Sequence, residues 1–358
     1  MRIALVILHA DPARGGAERY TVDLAAALAR RGHEVSLLTM FGDPPPPPGV
    51  RLVEQLPRAR YRATRATLYR MFLEALDAHL DAARYDLVHA MLPVRRCDVY
   101  HPHAGIAAAA AQKWNIHFNP RRKLMARVER KLLTEEPAPI TIALSQYVKR
   151  SIREHYPLPD ERLATLFNAV DLQRFQPAPR PGHDYVNGLF IGQDFERKGL
   201  MEALVAASML KEPRLKVTVV GKRRLGFRPP PDAAAQVSFA GEVGDPRPFY
   251  ADADFFVLPT KHDPCSLVVL EALAMGLPVI STVFNGATEI MIDGVHGYVL
   301  KDPTDVDALA DAMRKLLDSD RRRAMSQACL ELRSKLSYEH HLDELLNIYD
   351  RAVAARRN

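Results

Sequence analysis

Two carboxylates, Asp263 and Glu271, bracket the stretch Asp263-Pro-Cys-Ser-Leu-Val-Val-Leu-Glu271, with seven residues between them. A strand-like run, Phe255-Phe-Val-Leu-Pro259, leads in, and Gly276 and Pro278 close the segment. The apolar run Leu267–Leu270 reads as the start of a helix, so one acid precedes the helix and the other rides on it. Eight helical residues span about 12 Å, roughly the distance from a nucleotide's ribose across its diphosphate to an attached sugar. The helix N-terminus between the acids offers backbone N–H groups and a positive dipole end to phosphates. One carboxylate can then take ribose hydroxyls and the other sugar hydroxyls. A strand–loop–helix unit with solvated acids would spell the same letters, so other segments must decide.

Such segments are present. Gly15-Gly16-Ala-Glu18-Arg19 follows the apolar run Ile3–Leu8 and opens a helix, where a missing Cβ lets an anion approach the backbone. Arg197-Lys198-Gly199 lies in Gly192-Gln-Asp-Phe-Glu-Arg-Lys-Gly after a second strand. A planar guanidinium and a mobile ammonium suit a departing diphosphate, whose growing charge must be met by fixed positive charge. Cys97-Asp98-Val-Tyr-His101-Pro-His103 ends another strand in a polar turn. His103, His101 and Asp98 are all candidates there, His103 first.

Together with Asn168-Ala-Val-Asp171-Leu-Gln-Arg-Phe175-Gln-Pro177, these ordered motifs resemble the retaining glycosyltransferases of family 4. Cys97–Tyr100 and the Phe-x-Arg-Lys-Gly spacing are similar to the lipopolysaccharide-core glucosyltransferase branch. The resemblance implies an α/β, GT-B architecture: two Rossmann-like domains whose parallel sheets face a deep cleft. It implies an acceptor domain over 1–170, a nucleotide-sugar domain over 171–335, and a terminal helix over 336–358 returning to the first domain.

The activity implied is transfer of a hexose, glucose from UDP-glucose, to a lipopolysaccharide-core or other cell-envelope glycolipid or oligosaccharide acceptor. Catalytic roles carried over fall on His103, His101, Asp98, Lys198 and Asp263. Donor contacts fall on Gly15, Gly16, Arg197, Lys198, Gly241, Glu242, Val243, Asp263, Cys265, Ser266, Leu267 and Glu271. Two departures concern sugar choice: Asp263 stands where the family usually has glutamate, and Cys265-Ser266 where Phe-Gly is common. A nucleotide-sugar epimerase of the same fold, a donor-binding protein without activity and a basic membrane adaptor are the competing readings.

No cofactor and no metal are expected. Asp252-Ala-Asp254 spells a manganese motif of another architecture, but it precedes a strand at a helix–strand join. Walker A, G-x-S-x-G, H-E-x-x-H and G-x-G-x-x-G patterns are all absent, which disfavours P-loop, serine-hydrolase, zinc-peptidase and nicotinamide chemistry.

The elements that must position these groups alternate short apolar strands with amphipathic helices, the pattern of parallel sheets covered on both faces. Strands are predicted at Ile3–Leu8, Glu34–Leu38, Leu87–Ala90, Val99–Tyr100 and Ile140–Leu144. A second series is predicted at Tyr185–Ile191, Val217–Val220, Val237–Phe239, Phe255–Leu258, Val279–Ser281 and Gly297–Val299. Helices are predicted at Glu18–Arg31 and, capped by Thr304 or Asp305, at Val306–Leu317.

At 358 residues and 47% hydrophobic content the chain supports two cores. Three scattered cysteines fit free thiols in a reducing cytoplasm. The expected location is cytoplasmic and peripheral on the inner face of the membrane. The net charge of +6 is concentrated in Arg58, Arg60, Arg62, Arg65 and Arg70, and in Arg121, Arg122, Lys123, Arg127, Arg130 and Lys131. Such clusters suit an anionic membrane or a phosphorylated acceptor. Nucleic acid is not expected, since no aromatic stacking platform accompanies them.

Overall fold

The computed structural model describes all residues except 43, 55–62, 104, 112–118, 180–181, 223–226, 234–235 and 358. Arg58, Arg60 and Arg62 of the first basic cluster lie outside the described residues. The chain divides into two units, Met1–Phe167 with Tyr338–Asn358, and Asn168–Ser337. Among the described residues each carries one parallel sheet flanked by helices, as expected for the α/β, GT-B class.

In the first unit the chain runs β1 (Arg2–His9), α1 (Gly16–Arg30), β2 (Glu34–Phe41), β3 (Val50–Glu54), α2 (Arg65–Ala82), β4 (Leu87–Ala90) and β5 (Val99–Tyr100). It continues through α3 (Ala107–Ala111), α4 (Pro120–Thr134), β6 (Ile140–Ala143), α5 (Gln146–His155) and β7 (Leu163–Thr165). The sheet order is β3-β2-β1-β4-β5-β6-β7. Residues 3–8 of β1 are all buried, because a central parallel strand is covered on both faces and therefore reads as an unbroken apolar run. Helix α1 buries Tyr20, Leu24, Ala27 and Leu28, an i, i+4, i+7, i+8 stripe.

The second unit runs β8 (Val186–Ile191), α6 (Phe195–Lys198), α7 (Leu200–Met209), β9 (Leu215–Val220), β10 (Val237–Gly241), α8 (Arg247–Asp252), β11 (Phe255–Leu258) and α9 (Leu267–Ala274). Then come β12 (Val279–Thr282), β13 (Gly297–Leu300), α10 (Val306–Lys315), α11 (Ser319–Glu331) and α12 (Arg333–Leu336). Its sheet order is β10-β9-β8-β11-β12-β13. Asp305, not Thr304, caps α10, accepting the Ala308 N–H at 2.9 Å. Apart from Glu271, helix α9 is apolar all round, and it is buried from Val269 to Ala274, which marks it as a core helix rather than a surface one.

The last helix, α13 (Tyr338–Arg357), belongs to the first unit, where it packs on α1 and β4. Two imidazole–phenol hydrogen bonds hold it: Tyr20 Oη to His341 Nε2 and Tyr349 Oη to His89 Nδ1, both 2.7 Å. His341 Nδ1 lies 2.8 Å from the Phe167 carbonyl, so that nitrogen donates and Nε2 accepts from Tyr20.

Strand order reverses at β1/β4 in one sheet and at β8/β11 in the other. In open α/β sheets, ligands bind outside the carboxyl ends of the strands at such a switch point. The segments after β1, β8 and β11 carry Gly15-Gly16, Arg197-Lys198 and Asp263–Ser266, respectively.

Candidate functional site

Adjacency of β8 and β11 brings together groups that are 65 residues apart. After β8, Asp194 caps the short helix α6, and Gly199 ends it at φ 77°. A Cβ on Gly199 would lie 2.2 Å from the Pro259 carbonyl oxygen, so only glycine lets this turn press onto the end of β11. With the turn seated there, the Lys198 ammonium forms an ion pair with the Asp263 carboxylate. Arg197 donates from Nη1 to the His262 carbonyl at 2.7 Å, and its own carbonyl accepts the Lys261 N–H at 2.9 Å. The basic segment is therefore clamped against the acidic loop at three points.

The acidic loop is held from its other side by Asn285. The Asp263 N–H donates to the Phe284 carbonyl, and the Gly286 N–H donates to the Asp263 carbonyl, both at 2.9 Å. Asn285 Oδ1 accepts the Ser266 N–H at 3.2 Å and the Ala287 N–H at 3.1 Å. Asn168 Nδ2 donates to the Cys265 carbonyl at 3.0 Å. Ser266 then starts α9 with no side-chain cap on the helix. Its buried hydroxyl has no hydrogen-bond partner among the described residues. An uncapped helix start, a buried hydroxyl and a lysine held one loop away form an anion-receiving set. Leu267 is the first residue of that helix.

Glu271, one turn further along α9, is 6% exposed. Its Oε2 accepts from the Tyr250 hydroxyl at 2.7 Å. Gly241, at φ 75°, ends β10 with open space where a Cβ would stand, and Glu242 and Val243 follow on the partly exposed turn. Cys265 is buried, and burial pushes its thiol up to about 12, so it is no nucleophile at neutral pH.

In the first unit, Gly15 is the N-cap of α1 and makes no side-chain cap; Gly16 is the first helical residue. Burial raises the Glu18 carboxyl in the same turn. His101 is fully buried, its ring 4.2 Å from that of His103 and stacked 5.4 Å from that of His89. His103 packs 4.2 Å from Tyr20. Burial holds both imidazoles well below their usual range, hence neutral. Of the two, His103 has the greater exposure, at 9%. Asp98 is engaged elsewhere: its carboxylate accepts the Val88 N–H at 2.7 Å and clips β5 to β4, on the amino-terminal side of the turn that carries the histidines.

Asp252 and Asp254 are also committed. Asp252 bonds His183 at 2.9 Å and Asn187 at 3.0 Å; Asp254 accepts the Asn187 N–H at 2.8 Å and lies 3.4 Å from Arg322. Of the basic clusters, Arg65 and Arg70 are exposed on α2, and Arg122, Lys123, Arg127, Arg130 and Lys131 on α4. No described helix is long and apolar enough to cross a membrane.

Comparison with known proteins decides the family. Residues 14–174 match the model described as Glycosyltransferase Family 4, and residues 186–319 that described as Glycosyl transferases group 1. The chain belongs to glycosyltransferase family 4. It is 26% identical to the D-inositol 3-phosphate glycosyltransferase of Nocardiopsis dassonvillei, an alignment covering 99% of this chain and 95% of that protein. The crystal structure of WaaG, a glycosyltransferase involved in lipopolysaccharide biosynthesis, superposes with a TM-score of 0.78 at 21% identity, covering 98% of each chain. Anabaena HepE in complex with UDP-glucose superposes at 0.68 with 16% identity, covering 100% of this chain and 99% of that one.

Three groups of this glycosyltransferase escape a reading of the sequence alone. Tyr250 reads as a core aromatic, and only the fold puts its hydroxyl on Glu271. Asn285-Gly286 signals a turn, but its work as clamp of the acidic loop depends on the neighbouring strand. Asn168 stands in a quoted motif, yet its bond to the Cys265 carbonyl spans 97 positions.

Proposed function

We propose that this glycosyltransferase moves a hexose, with retention of anomeric configuration, from a UDP-sugar to a phosphorylated cell-envelope glycolipid acceptor, with UDP-glucose as the donor. The observation that carries the reading is the Lys198–Asp263 pair beside the uncapped start of α9, with Glu271 further along the same helix. The diphosphate takes Lys198, Arg197, the Ser266 hydroxyl and the N-terminal N–H groups of α9; Glu271 takes the ribose hydroxyls; Asp263 takes sugar hydroxyls. Main-chain groups of Gly241, Glu242 and Val243 take the base. As the glycosidic bond breaks, charge grows on the leaving diphosphate, and fixed positive groups stabilise it more than they stabilise the ground state.

In this reading the acceptor hydroxyl attacks from the face the diphosphate leaves, and a phosphate oxygen accepts its proton, so no protein nucleophile is needed. The proposal includes no metal, because the phosphate charge is met by Lys198, Arg197 and the helix dipole. The arginines and lysines of α4 suit a phosphorylated acceptor and peripheral contact with an anionic membrane. The phosphate in the name of the Nocardiopsis relative's substrate and the UDP-glucose held by HepE support the acceptor chemistry and the donor.

The test is turnover of UDP-, GDP- and ADP-sugars, alone and with glycolipid extracts, by the natural protein and Lys198→Ala. Expected is release of UDP, faster with acceptor and lost in the variant. An isomerised sugar nucleotide formed without acceptor, or no donor consumed, overturns the reading.

A further inference from the structure

Tyr250 lies on α8 at 1% exposure, outside every motif singled out in the sequence. Its ring is fixed between aromatic neighbours, 6.1 Å from Phe256 and 6.0 Å from Phe175. The hydroxyl lies 2.7 Å from Glu271 Oε2 and 3.2 Å from the Val268 carbonyl. A phenol has one proton to give. The shorter, charge-assisted contact takes it, because hydrogen bonds to an ionised acceptor are about twice as strong as neutral ones.

The geometry points to Tyr250 as a positioning residue that sets the carboxylate of Glu271 for the ribose diol of the nucleotide. The inference rests on the proposed assignment of Glu271 to the ribose. Glu271 is itself nearly buried, and Val269, Leu270, Ala272 and Leu273 on either side of it in the helix are fully buried. A carboxylate there loses hydration and needs donors to remain charged. The phenol supplies one, and with Oε2 held the carboxylate plane keeps one orientation. A vicinal diol donates two hydrogen bonds, and both are well formed only if that plane is already correct. The rigid ring thus acts through Glu271 on ribose, while the diphosphate and sugar contacts lie on other residues.

The experiment is calorimetric binding of UDP, GDP and ADP, each beside its 2′-deoxy counterpart, to the natural protein, Tyr250→Phe, Glu271→Gln and the double variant. Ribose is common to all three, so whichever diphosphate binds serves as the probe. Expected is a preference for ribose over deoxyribose of about tenfold in the natural protein, the order of one hydrogen bond to a charged group. Tyr250→Phe cuts that preference by at least threefold, and adds nothing when Glu271→Gln is already present. The phenylalanine keeps the packed ring, so the fold is retained, and thermal melts confirm it.

If Glu271→Gln lowers the preference and Tyr250→Phe does not, the positioning role is overturned and the ribose assignment stands. If Tyr250→Phe acts equally with and without Glu271, it acts through packing, and the inference is overturned. If Glu271→Gln leaves the preference intact, or no diphosphate binds, the ribose assignment fails and the inference fails with it.

Discussion

Replacement of Asp263 by asparagine isolates the ion pair at the centre of the proposed donor site. The Lys198 and Asp263 side chains are 12% and 11% exposed, so neither is well hydrated in the fold. Asparagine keeps the shape and removes the charge, leaving a nearly buried ammonium without its counter-ion. Breaking a buried pair on one side costs about 3–5 kcal/mol, and the residual exposure places this site near the lower end, about 3. For a unit of this size each kcal/mol moves the unfolding midpoint by about 2–4 °C. The midpoint of the second unit should therefore fall by about 6–12 °C.

The informative half of the experiment is the addition of UDP. In the proposed site of the natural protein a diphosphate would share Lys198 with Asp263, whereas in Asp263→Asn it would replace the missing charge. Ligand stabilisation follows affinity by mass action, so the upward shift at equal UDP concentration should be larger in the variant than in the natural protein. Differential scanning fluorimetry with and without saturating UDP measures both shifts. Equal upward shifts would refute the argument that the phosphates and Asp263 compete for one ammonium. Turnover should move oppositely to affinity, falling in the variant, because Asp263 also takes sugar hydroxyls in the proposed reaction.

Gly199→Ala places a methyl group against the Pro259 carbonyl in a left-handed turn; we expect a loss of about 2–4 kcal/mol in urea unfolding, and a loss near zero would show that the turn relaxes freely. Tyr20→Phe removes the phenol that donates to His341 and should cost about 1–2 kcal/mol; an unchanged urea midpoint would mean that this bond adds nothing to the hold on α13. Burial holds His341 at about 4 and His89 at about 3, against 6.5 when unfolded. The unfolded chain then binds more protons below pH 6.5, so this contribution is complete above pH 6.5 and is lost as pH falls toward about 4. Each histidine accounts for about 1.4 kcal/mol per pH unit in that window. Urea midpoints of the natural protein and His341→Gln between pH 7 and 4.5 should differ in slope by about one proton; parallel curves would sink the assignment. Glu129 works in the other direction: burial raises its carboxyl to about 8, so its contribution declines as pH rises from 4.5 to about 8, and Glu129→Gln should flatten that decline.

How far the sequence was legible depended on whether a signal was local. Leu87–Ala90 and Phe255–Leu258 appear at the predicted residues, because buried parallel strands are short continuous apolar runs between turn formers. The strands Val50–Glu54 and Leu163–Thr165 were not expected. Both are edge strands, one diluted by Arg51 and Glu54 and the other only three residues long. Helix α4 reads in the sequence only as a charge cluster, since its buried stripe is narrow beside six cations. At the site, Lys198, Asp263 and Glu271 could be named because their types and spacing are local. Their partners could not: the Lys198–Asp263 pair follows from β8 lying beside β11, and the bond from Tyr250 to Glu271 follows from the way α8 and α9 are threaded around β11. Side-chain contacts across strands obey topology, which hydrophobic periodicity does not encode.

The return of α13 to the first unit has a consequence for the order in which the protein is made. Residues 168–337 form a continuous segment, so the second unit can complete its contacts as soon as that segment leaves the ribosome. The first unit begins earlier and finishes later. Tyr20 and His89 emerge first, but their partners His341 and Tyr349 follow only after the whole second unit has been translated. Domains usually fold in the order of synthesis; here the amino-terminal unit waits for the carboxyl-terminal helix. A ribosome stalled before codon 338 would therefore display a finished second unit beside a first unit still lacking one of its helices, which makes that first unit the natural target of chaperones and proteases during translation.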